Sequence, residues 1–411
     1  MNPWLRVFLP FAAGYFLSYL LRNVNAVIAP ELTRELAVSA ADLGLLTSAY
    51  LFAFGAFQLP LGLLLDRYGP RRVEAALLLV AATGCGVFAL GGNLAELAFG
   101  RALIGLGVSA CLMASFKAFS LWFAPTRQAS LNAAVMAAGG FGALTATTPL
   151  SWALPAAGWR GLFFALAAAG VAAAAGIFST PDKPAAGSGE TLVAQLRALG
   201  GILRSRVFWR FAPQTAMSVG GFMALQGLWA VPWLINVNGY TRGAAAFHLL
   251  LTAAAMLTGF LAIAAFVTRL AARGIAPERI LTTGLGGGLV VMLLIVLDIG
   301  ATHALWFALG LVFSVGNLAY AALCAHFPSR LSGRVNTALN LGAFVGAFGL
   351  QWGIGVLVDM LGSYGLGQRE SFRMAFAVLL VMQTLAWVWF VLGAKTPAGR
   401  RPDASAGRAA P

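Results

Sequence analysis

A chain of 411 residues with 60% hydrophobic and only 10% charged side chains lies far from the balance of a soluble globular protein. Its formal charge of +14 would suit nucleic acid, but the basic residues concentrate in alternate short connections between apolar runs, the pattern that membrane topology imposes. Cys85, Cys111 and Cys324 all lie inside apolar runs without metal-ligand spacing, so neither a disulfide framework nor a zinc site is indicated; no metal, cofactor or nucleic-acid partner is expected.

Twelve membrane-spanning helices are predicted, at 5–29, 41–65, 73–92, 95–119, 129–153, 159–180, 208–236, 243–268, 279–299, 303–326, 335–359 and 371–393. The first is too long for a signal-peptide core and lacks a convincing cleavage site, so it is expected to remain as helix one. PDKPAAGSGE, from Pro181 to Glu190, cannot cross lipid and reads as a linker. After it, Leu192, Leu196, Leu199 and Leu203 recur at helical spacing while Arg197, Arg204 and Arg206 stay polar, as in an interfacial helix. The expected organisation is therefore a six-helix bundle over 1–180, a cytoplasmic linker over 181–207, a second bundle over 208–394 and a disordered tail over 395–411. With the amino terminus inside, about 20 of the 27 Lys and Arg fall on the cytoplasmic side, which places both termini there in a bacterial inner membrane. A lipid-embedded monomer is expected.

Helix one carries Arg22 well inside its apolar run. An unpaired guanidinium costs about 2.5 to 3.5 kcal/mol in a bilayer, so it persists where a partner, water or a bound anion compensates. Tyr15, Ser18, Tyr19, Arg22 and Asn25 share one face about 120° wide at 100° per residue, a stripe suited to lining a central cavity. Satisfaction of Arg22 by neighbouring carbonyls stays open as the alternative. Candidate partners from the second half are Gln226 and Trp229 on helix seven, Asn317 and Tyr320 on helix ten, and Asn340 and Gln351 on helix eleven. Isolated polar side chains also glue helices together, so both roles remain open for each.

The halves match weakly at an offset of 204 residues: Phe123 meets Phe327, Asn132 meets Asn336, Ala134 meets Ala338, Gly142 meets Gly346 and Ala143 meets Ala347. Such self-similarity is expected of a duplicated transporter. Between helices two and three stands GLLLDRYGPRR, in which Gly62, Asp66, Arg67, Gly69, Arg71 and Arg72 follow a signature that resembles that of the major facilitator superfamily. RALIGLG at the start of helix four, with Arg101, Gly105 and Gly107, is a second element of that resemblance. Gly62 to Arg72, Arg101 and Gly105 are expected to serve structure and gating; Arg101 lies near enough to the outer boundary to snorkel or to pair with Glu96. In the second half the signature is degraded to FVTRLAARG, with Thr268 in the place of its aspartate.

Tyr19, Arg22 and Pro30 together resemble the first helix of the organic-anion and organophosphate (sugar-phosphate permease-like) branches of that superfamily, which implies that Arg22 binds a carboxylate or phosphate. Two departures stand out: Leu21 and Ser109 occupy places where the carboxylate symporters often carry acids. Asp42, Glu96, Asp298 and Asp359 lie near predicted helix ends, as do His248, His303 and His326, leaving no clear intramembrane carboxylate. Arg210 belongs to the start of helix seven, so no second deep arginine supports a phosphate ester.

The resulting expectation is an all-helical transporter of a small organic anion, working by alternating access through exchange or facilitated movement. Multidrug or metabolite efflux is the runner-up, disfavoured because GGFGALTATTPLSW in helix five lacks a Gly-Pro pair. Copper import is a minor alternative, as Met217, Met223 and Met256 give no clean ligand pair. A sensor would be expected to add a docking region, and an enzyme would need a convergent nucleophile and base or a metal set; neither is evident, so the chain is not expected to be an enzyme.

Overall fold

The computed structural model describes residues 3–124, 127–181, 183, 197, 200–328 and 331–393. Most of the expected linker and interfacial helix, and the expected tail, lie outside the described residues. Those that are described form helices and short connections, with no strand among them. The first half comprises α1 (Leu9–Leu36), α2 (Ala40–Leu90), α3 (Leu94–Val108), α4 (Cys111–Trp122), α5 (Gln128–Thr145) and α6 (Thr148–Phe178). The second comprises α7 (Arg206–Asn236), α8 (Arg242–Ala272), α9 (Pro277–Leu297), α10 (Thr302–Cys324), α11 (Ser332–Ser363) and α12 (Gln368–Gly393). Eleven stretches among the described residues are long and apolar enough to cross a bilayer, and Ala134–Thr145 is a shorter apolar helix.

The predicted spans differ from these elements where glycine permits it. Helices two and three form one element, α2, because Gly69 takes φ +78° and lets the chain turn sharply without a loop. Its two limbs run in opposite directions against α3. Residues 50 and 58 of the first limb meet 101 and 109 in the same order, whereas Leu77 and Phe88 of the second meet Gly107 and Gly100 in reverse. The predicted fourth helix divides at Ser109 and Ala110, and the predicted fifth divides near Ala146 and Thr147; α6 then kinks at Gly158, which has φ +63°.

Pseudo-symmetry is visible in backbone contact as well as in sequence. Gly142 of α5 lies against the Phe16 backbone of α1, and its repeat partner Gly346 of α11 lies against the Ala216 backbone of α7. Any Cβ at either site would collide with main chain, so small residues set the helix spacing, as is usual where lipid supplies no hydrophobic drive. Likewise α8 runs parallel to α10 through Thr252 and Gly310, as the first limb of α2 does to α3.

The two halves are sealed at one end. Ser39 and Asp42 form a capping box at the start of α2, at 3.1 and 3.2 Å. Asp359 of α11 adds a second cap from across the molecule, accepting from the Ala40 and Ala41 amides at 3.0 and 2.6 Å. A carboxylate at a helix amino terminus satisfies orphan donors and complements the helix dipole. Glu31 of α1 pairs with Arg242 of α8 nearby. At the other end, which carries the Gly62–Arg72 stretch, α4 packs on α1, α2 and α5, and the last turns of α10 pack on α7, α9 and α11. Each keeps to its own half there.

Candidate functional site

Arg22 lies at the junction of the two halves, about midway along α1. Its guanidinium carbon stands 4.7 Å from the Tyr19 ring centre, 5.0 Å from Phe54 of α2 and 5.7 Å from Phe344 of α11. Phe54 and Phe344 stack across the junction with centroids 4.6 Å apart. Aromatic faces attract the cation, each by about 0.5 to 2 kcal/mol, but they leave its in-plane donors free. The Arg22 Nε is buried without a hydrogen-bond partner, and no carboxylate among the described residues pairs with this side chain. The Tyr50 hydroxyl, 3.4 Å from the Ser18 carbonyl oxygen, also faces the guanidinium. What remains is a planar guanidinium in contact with Tyr50 and with its Nε unpartnered, a group suited to a carboxylate.

The tyrosines complete the surround. Tyr15 and Tyr19 meet edge to face at 5.1 Å, and Gly139 of α5 makes room for both, since a Cβ there would sit 2.6 Å from Tyr15 and 3.0 Å from Tyr19. From the second half, Tyr320 lies in electrostatic reach of Tyr19 and Arg22 and donates its hydroxyl to Asn340 Oδ1 at 3.0 Å. Arg22, Tyr15, Tyr19, Tyr320 and Asn340 are thus brought together. Other candidates serve helix contacts instead. Ser18 Oγ donates to the Val108 carbonyl at 3.4 Å, and Asn25 Nδ2 donates to Thr47 Oγ1 at 3.0 Å. Trp229 Nε1 donates to the Gln351 carbonyl at 2.9 Å; the Gln351 side-chain amide is buried with neither end satisfied. Gln226 is buried in a π-helical turn, Leu225–Trp229, and Asn317 is half-buried at the end of a 3-10 turn, Ser314–Asn317, in α10. Such irregular turns recur at functional sites.

Tyr50, Phe54 and Phe344 escaped the sequence reading because apolar and aromatic residues are invisible to a search for polar faces. A usable signal was present: Tyr50 and Phe54 stand four apart, as do Asn340 and Phe344, so each pair shares a face.

Arg101 corrects an expectation. It neither snorkels nor pairs with Glu96, whose carboxylate accepts from the Gly92 amide at 2.9 Å. Arg101 is 0% exposed, donates from Nη1 to the Leu21 carbonyl at 2.9 Å, and lies 4.8 Å over the Tyr50 ring. Gly105 of the same helix packs on the Tyr50 backbone. In the signature stretch, Gly62 has open space around it, Arg67 lies beside the Tyr68 ring, and Arg71 Nε donates to the Phe178 carbonyl at 2.8 Å. Arg72 also has an interaction partner, and the Asp66 side chain lies outside the described residues.

Two further findings concern ionisable groups. His248 is buried by protein: its Nδ1 lies 2.7 Å from the Ala244 carbonyl oxygen, and its ring stacks on His303 at 4.0 Å. The spans also hold a buried carboxylate after all. Glu74, in the second limb of α2, is 0% exposed with neither carboxylate oxygen hydrogen-bonded. Placing the start of helix three at residue 73 makes Glu74 look terminal; in the structure the second limb of α2 begins directly after the turn at Gly69 and Glu74 faces inward.

Two cavities lie away from Arg22. One of about 590 Å3 at the sealed end is lined by Glu31, Arg34, Glu35 and Arg242, and a small one of about 50 Å3 lies among Gln214, Ser218 and Phe313. The charges of the first are largely spent on each other, through Glu31–Arg242 and Glu35–Arg160. Arg22 has no such partner, which makes it the stronger anion site.

Comparisons with known proteins bear on the family and the fold. The hexuronate transporter of Escherichia coli strain K12 is 32% identical over 151 residues, 36% of this chain and 35% of that protein. The galacturonate transporter of Dickeya chrysanthemi is 30% identical over 151 residues, 36% of this chain and 44% of that protein. The matched regions thus span less than half the length of these relatives. In fold, a bacterial homologue of the human lysosomal transporter Spinster, in an inward-facing and unoccupied conformation, superposes with a TM-score of 0.78 at 16% identity, over 96% of this chain and 98% of that one. Residues 11–349 match the profile of the Major Facilitator Superfamily. With its twelve crossings in two pseudo-symmetric six-helix bundles, the chain belongs to that family.

Proposed function

We propose that this protein carries a small organic anion of the sugar-acid kind across the bacterial inner membrane by alternating access. One observation carries the reading: Arg22, with a buried unpartnered Nε and without an acidic partner among the described residues, lies at the junction of the two halves. Its relatives are named for hexuronate and galacturonate, each a sugar bearing one carboxylate. In this reading the carboxylate seats on Arg22, the sugar face packs on the surrounding aromatic rings, and Tyr320 with Asn340 reads hydroxyls from the second half. Bundles at 1–180 and 208–394 rock about this site, with both termini cytoplasmic. The sealed end is then the periplasmic one, and the arrangement is inward-facing. A single chain contains both halves of the site, so a monomer suffices.

Multidrug or metabolite efflux fits less well, since a charged fork suits one anionic group better than diverse apolar cargo. Transport in proteoliposomes tests the assignment. Labelled galacturonate should accumulate by counterflow against unlabelled galacturonate, while galactose, its uncharged counterpart, and glucose 6-phosphate should compete poorly. Uptake of galactose at the same rate, or no displacement by any carboxylate, would overturn it.

A further inference from the structure

The buried acid found in the first half has no place in the site just described. Glu74 projects from the second limb of α2 into the interior of the first six-helix bundle. Facing it are Gly14 of α1, Ile177 of α6 and the Cys111 thiol of α4. Gly14 is shaped to it: a Cβ at that position would stand 2.5 Å from Glu74 Oε1. Among the described residues Cys111 is the titratable group in reach, and neither carboxylate oxygen makes a hydrogen bond of ordinary geometry. Arg71, three positions earlier in the chain, is turned to the Phe178 carbonyl at 2.8 Å and lies over the Phe178 ring.

A bare carboxylate in such surroundings would cost several kcal/mol with nothing to offset it. The packing therefore fits the protonated acid, whereas the ionised form requires water or a donor that only a different arrangement of α1 against α2 can admit. Glu74 is also linked to the anion site. Cys111, one side chain away, is in electrostatic reach of Arg22, Tyr15 and Tyr50, and α1 carries both Gly14 and Arg22. Any separation of α1 from the second limb of α2 that hydrates Glu74 also shifts Arg22.

We propose that Glu74 is a proton-binding site that takes its proton from the periplasmic side with the solute, holds it in the packing seen here, and releases it to water on the cytoplasmic side when α1 moves away from it, so that one proton accompanies each solute. The coupling rests on the transport reading above; proton binding itself does not. This reverses the expectation of uncoupled exchange, whose premise was that the spans hold no clear carboxylate.

Two measurements on the full-length protein test it. Infrared difference spectra between acid and alkaline buffer, recorded on reconstituted protein without substrate, should show a carboxylic-acid C=O band that appears on acidification. It should vanish in Glu74→Gln and move in Gly14→Ala, which keeps the acid but crowds it. An identical band in wild type and Glu74→Gln, or no titrating band in wild type, would overturn the proposal. In proteoliposomes, a gradient of one pH unit should accumulate galacturonate about tenfold in wild type, for one proton per solute. Glu74→Gln should lose this accumulation yet keep counterflow at equal pH within about threefold of wild type. Retained pH-driven accumulation, or loss of counterflow along with it, would mean that Glu74 is not the proton carrier. Should wild type fail to move galacturonate at all, the transport reading falls while the infrared result still decides proton binding.

Discussion

Two deep arginines share one aromatic ring and do different work. Arg101 lies over the Tyr50 ring at 4.8 Å and delivers a hydrogen bond to the Leu21 carbonyl, so it ties α3 to α1 one residue before Arg22. Arg22 faces the hydroxyl end of the same tyrosine, lies among Tyr19, Phe54 and Phe344, and spends none of its charge on a carboxylate among the described residues. Both lie inside apolar spans. The difference lies in where each guanidinium is placed: Arg101, whose Nε and Nη2 are also without partners, is enclosed within its own half, and Arg22 lies on the seam between halves. Unpartnered donors alone therefore do not mark a ligand contact; a position at a surface that can move does.

The largest expected effect comes from removing the open arginine. Arg22→Ala should weaken galacturonate binding by about 2 to 5 kcal/mol, the usual cost of truncating one side of a desolvated charge pair. Arg22→Lys should fail to restore it, because a point charge cannot reproduce the fork. Thermal stability in detergent should hold or rise in Arg22→Ala, since a cation without an ionic partner among the described residues has been removed; binding isotherms and melting curves check the pair of signs. Arg101→Met should give the opposite pattern, a stability loss of about 1 to 3 kcal/mol as the Leu21 carbonyl loses its donor, with the surviving folded protein binding solute nearly normally. A collapse of binding with intact stability in Arg101→Met would erase the distinction between the two residues.

How much of this was legible in the sequence depends on what each side chain needs in order to be noticed. The apolar spans were legible, and so was the clustering of Tyr15, Tyr19 and Arg22, because apolar length and helical rotation are properties of one segment. Tyr50, Phe54 and Phe344 were not, since their part in the site comes from what they face across the seam, and nothing in their own helices marks that. Ser18, Asn25 and Trp229 share the polar pattern of the site but turn to Val108, Thr47 and Gln351. Periodicity names a face without naming its neighbour. Glu74 was passed over for a related reason: it stands near the predicted start of helix three and looked terminal, whereas the second limb of α2 begins right after the turn at Gly69 and its packing buries Glu74.

Smaller effects sharpen the contrast between a closed and an open seam. Asp359→Ala removes the cap on the Ala40 and Ala41 amides, worth about 0.5 to 2 kcal/mol. It should shift the population toward opening at that end, read as longer spin-label distances between the outer ends of α2 and α11. An unchanged distance distribution would show that the cap stabilises α2 alone and not the closed seam. The mildest change is Tyr320→Phe, which deletes the hydroxyl that bonds Asn340 and should cost about 0.5 to 1.5 kcal/mol in galacturonate affinity, with pH-driven coupling intact. A larger loss than Arg22→Ala would transfer the principal contact to the second half.

The most direct test of the central claim, that Arg22 holds the substrate carboxylate, is calorimetric titration of purified wild type and Arg22→Lys with galacturonate and with galactose. Wild type should bind galacturonate and discriminate strongly against galactose, and the Lys variant should lose both the affinity and most of the discrimination. Undiminished galacturonate binding by the Lys variant, with discrimination preserved, would contradict the account.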